Sequence, residues 1–80
     1  MRKYPALWRA VIHAIRSARL ERELSQRSLS EKLDQHNTYI YEIEAGQHSV
    51  RTEEFITIAE ALELDPHELL DRVLNRDRKI

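Results

Sequence analysis

An all-α fold is predicted by three features of the chain. Glycine occurs once and proline twice in 80 residues, so little in the sequence interrupts helices. No segment alternates β-branched and polar residues in the manner of a half-buried strand. Apolar residues instead recur three and four apart along most of the length, which places them on single faces of helices.

The elements follow in order. Pro5 is suited to the first position of a helix, where its missing amide hydrogen costs nothing. From there Trp8, Val11, Ile12, Ile15 and Ala18 predict a first helix to about Arg22. The stretch 24–46, LSQRSLSEKLDQHNTYIYEIEAG, is the centre of the chain. Ser25 can cap a second helix whose face carries Leu29 and Leu33, and the polar run 34–37 breaks it. A third helix, from about Asn37, buries Ile40 and Ile43 and ends at Gly46, the one glycine, placed for a left-handed cap. Two helices of about two turns joined by a tight polar turn, at about residues 25–45, form a helix-turn-helix and need further helices to dock on.

Val50 is placed to plug the core after Gly46, and Thr52 can cap a fourth helix with Glu53 and Glu54 in its first turn. Phe55, Ile58, Ala59 and Leu62 give that helix its buried face. Asp65, Pro66 and Glu68 supply N-cap, first position and third position of a fifth helix, carrying Leu69, Leu70, Val73 and Leu74. The charged tail, about 75–80, is expected to fray. With no linker, repeat or low-complexity tract, residues 1–80 read as a single domain.

The motifs LSQxxLxxKL at 24–33 and IxxIExG at 40–46 resemble those of the lambda-repressor-like (Cro-like, XRE-type) helix-turn-helix family. The likeness continues through FITIAEAL at 55–62 and Asp65-Pro66, and spans roughly residues 15 to 70. It implies a compact five-helix DNA-binding domain, with the helix-turn-helix formed by helices 2 and 3. Further implications are a structural pair between Arg19 and Glu44, with Arg16 at another basic position of helix 1, and Asn37, Thr38 and Glu42 at base-contacting positions. Gln26 falls where the family holds a phosphate. Glu23 replaces the family's usual glycine; if the backbone is left-handed there, the cost is about 1 kcal/mol and the end of helix 1 is expected to be longer or distorted.

The chemistry suits these assignments. Asn pairs with adenine, Thr offers a hydroxyl or a methyl group, and Glu accepts from the cytosine amine. Tyr41, Arg27 and His48 are phosphate candidates beside Gln26, with Gln47 weaker; Tyr39 is placed at the rim, half packed. The bland alternative for each is a solvated polar residue on a short helix.

Charge pulls the other way. The net charge is -1, with +4 in residues 1–25, -2 in residues 26–48 and -3 in residues 49–80. Phosphate neutralisation supplies much of the affinity of DNA-binding proteins, so the acidic helix-turn-helix lowers the expected affinity. Glu42 either reads a C·G pair or marks drift away from DNA.

The function read from the sequence is a sequence-specific transcriptional regulator of prokaryotic or phage type, with its recognition helix at about 37–45 in the major groove of double-stranded DNA. A homodimer on a two-fold operator is expected, because one such domain reads few base pairs. Its surface is expected from the front of helix 1, with Tyr4, Leu7 and Trp8, or from helix 5, with Leu70, Val73 and Leu74. The alternatives are a protein-interaction module or an antitoxin that uses the same fold and a protein partner. Four scattered histidines and no cysteine give no metal site, and no cofactor loop or nucleophile motif is present, so an enzyme is not expected. The absence of cysteine and of a membrane-length apolar run favours a cytoplasmic, nucleoid-associated protein.

Overall fold

The computed structural model describes the backbone of residues 5–78 and the side chains of residues 5–75. Five helices follow one another: α1 (Pro5–Glu21), α2 (Gln26–Lys32), α3 (Tyr39–Glu44), α4 (Thr52–Ala61) and α5 (Pro66–Arg78). Among the described residues there is no strand. Helix α1 buries Ala10, Ala14, Ile15 and Ala18, and this mostly small-residue face lets it lie against both α5 and α3. Helix α2 packs on α3, and α4 on α5. Leu29, Ile40, Ile43, Ile58, Ala59, Leu62 and Leu69 complete one buried cluster, each fully withdrawn from water. Val50 and Phe55 pack against it from its margin, half-buried.

Four of these helices end in the same way. After α1, α2, α3 and α4 the chain turns through a left-handed residue: Glu23 (φ 57°), Asp34 (φ 58°), Gly46 (φ 79°) and Glu63 (φ 60°). At each, the left-handed residue's amide bonds three residues back and the next amide bonds five back, as in Leu24 N–H to the Arg19 carbonyl and Gln47 N–H to that of Glu42. Glycine is used at one of the four. There a Cβ would stand 3.1 Å from the Trp8 ring, so space as well as backbone conformation calls for glycine.

Several boundaries differ from those expected. Helix α1 ends at Glu21, neither longer nor distorted, because Glu23 accepts the left-handed conformation and the cap forms as it would with glycine. Helix α3 starts at Tyr39, so Asn37 and Thr38 precede it, Thr38 as N-cap residue. The N-cap of α4 is Arg51, not Thr52: the Glu54 carboxylate accepts the Arg51 amide at 2.8 Å, which fixes the helix start one residue earlier. Helix α5 opens as expected, with Asp65 accepting the His67 amide at 2.8 Å. It remains helical through Arg78, past the point where fraying was expected.

Two side-chain placements also differ. Val73 is 2% exposed and belongs to the core, so it offers nothing to a dimer surface. Tyr39 is buried instead of lying at the rim, since it shares the inward face of α3 with Ile40 and Ile43. Leu7 and Leu70 are exposed, Trp8 and Leu74 are half-buried, and the expected contribution of Tyr4 lies outside the described residues.

Candidate nucleic-acid interface

The relation between α2 and α3 is set by one hydroxyl. Ser30 is fully buried; its Oγ donates to the Gln26 carbonyl at 2.8 Å and accepts the Ile40 amide at 3.0 Å. It thus satisfies an amide at the start of α3, which otherwise has no intrahelical partner. Ser30 is not among the residues expected from the sequence to act here, although a hydroxyl next to Leu29 on a helix that must dock is a readable signal. At the other end of α2, Ser25 caps as expected, its Oγ accepting the Ser28 amide at 2.9 Å.

The far end of α3 is tied to α1. Arg19 Nε donates to Glu44 Oε2 at 2.7 Å and its Nη2 to Oε1 at 3.0 Å, while Nη1 donates to the Leu24 carbonyl at 2.8 Å. The Gln26 amide also donates to Glu44 Oε1, at 2.9 Å, and Arg16 lies 3.9 Å away. A buried carboxylate is stable when its charge is paired and its oxygens are filled, and Glu44 meets both conditions. Gln26 therefore bridges α2 to α3 through Glu44 in this conformation.

On the outer side, Gln26, Arg27, Asn37, Thr38 and Tyr41 line one shallow hollow across the helix-turn-helix. Asn37, Thr38 and Tyr41 are exposed there, on the turn and first turn of α3. Arg27 is exposed and pairs with Glu31 on its own helix at 3.2 Å. Glu42 borders this surface in a different state from that of a free carboxylate. Its Oε2 accepts the Thr38 hydroxyl at 2.8 Å, and its Oε1 stands 3.0 Å from His36 Nε2. The hydrogen bond from His36, and then that from Thr38, hold the Glu42 carboxyl below the usual carboxylate range.

His48 is not part of the hollow. Its Nε2 stands 3.0 Å from Glu54 Oε2, and its ring meets the edge of Tyr39, centroids 5.3 Å apart. Tyr39 Oη donates to the same Glu54 oxygen at 2.8 Å. Burial and the neighbouring Glu54 push the Tyr39 phenol up, so it remains a donor. Burial works against the charged form of Glu54, yet the bonds from the Arg51 amide, His48 and Tyr39 outweigh it and bring its carboxyl down to about 2. The structure thus makes His48, Tyr39 and Glu54 a brace between α3 and α4. Among the described residues, no three His, Asp or Glu side chains converge as metal ligands.

A helix-turn-helix family model of the Cro and lambda-repressor type matches residues 15–69, more than half of the chain. No curated protein and no solved structure shows a significant match. The match spans both helices of the motif, the Arg19–Glu44 tie and the whole of α4, the elements that build the surface just described. The chain belongs to this family of DNA-binding helix-turn-helix regulators.

Proposed function

We propose that the chain is a sequence-specific transcriptional regulator that lays α3 in the major groove and binds a two-fold operator as a homodimer. The supporting observation is the hollow across the helix-turn-helix, where exposed Asn37, Thr38 and Tyr41 stand beside Gln26 and Arg27. In this reading Asn37, Thr38 and Glu42 meet base edges, and Gln26, Arg27 and Tyr41 meet the backbone. His48 is left out of the phosphate set because it does not line the hollow and its Nε2 is turned onto Glu54.

The homodimer rests on affinity: two half-sites one helical turn apart multiply a weak single-domain term. Exposed Leu7 and Leu70, with half-buried Trp8 and Leu74, are the apolar side chains for that contact. No helix of the described residues is long and apolar enough to cross a membrane, which fits a regulator that works in a prokaryotic cytoplasm beside its DNA.

A second reading, a protein-interaction module, is favoured by the charge of -2 in residues 26–48 and by an apolar groove lined by Val11, Phe55, Ile56 and Leu70. Retardation of mixed-sequence DNA at low salt separates the two. The regulator reading expects a retarded band that fades as salt rises, whereas no retardation at any salt concentration favours the protein-binding reading.

A further inference from the structure

The carboxylate that is to meet the DNA already has partners on both oxygens, and both come from the turn before α3. Thr38 Oγ1 gives its hydrogen to Glu42 Oε2, at 2.8 Å. His36 Nε2 stands 3.0 Å from Oε1. The His36 side chain is 57% exposed and that of Glu42 32%, so the cluster lies open to solvent beside the hollow that Thr38 lines. The His36 ring is also steadied by Tyr39, whose ring meets it edge-on at a centroid distance of 5.9 Å.

We propose that His36 is a positioning residue for Glu42: it orients the carboxylate for base reading and, when protonated, supplies the counter-charge that lets an acidic residue approach the phosphates. The inference rests on the reading that α3 binds DNA. Each Glu42 oxygen has a second lone-pair direction, so a carboxylate held by His36 and Thr38 can still accept from a cytosine amine. An unpaired carboxylate at the same place would be repelled by the phosphates and desolvated without compensation. Because the Thr38 hydrogen is committed to Glu42, that side chain presents DNA with an acceptor oxygen and a methyl group, not a donor.

Histidine is the side chain whose charge responds to pH in the neutral range, so a contact of this kind makes DNA affinity depend on pH. His48 lies near enough to Glu42 to act on it electrostatically, and beyond Tyr39 stand Glu54 and Arg51 on the α4 side. The His48 ring nitrogen is itself engaged with Glu54, so His48 makes no direct bond to Glu42.

The test is DNA affinity between pH 8 and 5.5 at constant ionic strength, for the full chain and three variants. The expected wild-type result is tightening by about three- to tenfold as pH falls, since the gain is limited to tenfold for each unit by which the bound state favours the proton. His36→Gln should remove that dependence and leave the weak, high-pH affinity. His36→Arg should also remove it, leaving the tight, low-pH affinity. His48→Gln, which removes only the weakest of the influences on Glu42, should retain most of the wild-type profile. Thermal melts of the His36 variants should match the wild type, because the side chain is exposed. A His36→Gln protein that still tightens like the wild type overturns this inference and leaves the DNA-binding reading intact. Absence of binding at every pH overturns both.

Discussion

Arg19 on α1 and Glu44 at the end of α3, 25 residues apart in sequence, form a two-point ion pair of 2.7 and 3.0 Å. Their side chains are only 8% and 4% exposed. Glu44 is thereby a component of the scaffold, and α3 owes its orientation to a charge that water does not screen. Breaking such a pair from one side leaves a buried charge uncompensated, so Arg19→Ala is expected to cost about 3–5 kcal/mol in chemical denaturation. Arg19→Lys keeps the charge without the fork and should fall between the two. An Arg19→Ala protein as stable as the wild type would contradict the assignment.

Ser30 makes a similar claim on a smaller scale. Removing its hydroxyl orphans the buried Ile40 amide, and Ser30→Ala should cost about 1–3 kcal/mol. Hydrogen exchange localises the effect: the Ile40 amide should lose protection by more than the global loss of stability explains.

The Glu54 brace predicts how the protein responds to acid. Its folded-state carboxyl lies at about 2 against the ordinary 4.5, so it contributes stability that is fully present above 4.5 and lost as pH falls toward about 2. Denaturant midpoints taken at pH 6, 4 and 2.5 should decline, and Glu54→Gln should decline less steeply over that window while starting lower at pH 6. Equal slopes for the two proteins would remove Glu54 from the account.

The four left-handed caps give a matched pair of substitutions with opposite signs. Glu23→Gly relieves the cost of a side chain in that conformation and should stabilise by up to about 1 kcal/mol, part of the gain being offset by a more flexible unfolded chain. Gly46→Ala adds that cost and drives a Cβ to 3.1 Å from Trp8, so a loss of roughly 1–2 kcal/mol is expected. Thermal or denaturant unfolding measures both.

Much of this was legible in the sequence, and the reasons it was or was not are physical. Helix faces came from the spacing of Leu29, Ile40, Ile43, Ile58 and Leu62, because burial repeats with the helix. The Arg19–Glu44 pair was expected from the family resemblance, since no local rule joins residues so far apart. The burial of Tyr39 is not legible in the sequence because its polar partner, Glu54, is fifteen residues on, and a phenol without a nearby partner reads as surface. The start of α4 was set by Glu54 reaching back three residues to Arg51, a capping spacing that the stronger intrinsic preference of Thr52 obscured. The pairing of Glu42 with Thr38 and His36 was not foreseen, because it depends on the short turn that places residue 36 over α3.

Whether α3 reads DNA is decided by selection of bound duplexes from a random library, at low and at moderate salt. A regulator should enrich a two-fold symmetric motif with half-sites about one helical turn apart, and a C·G pair whose preference relaxes in Glu42→Ala. No enriched motif, with DNA retardation absent even at low salt, would contradict the regulator reading.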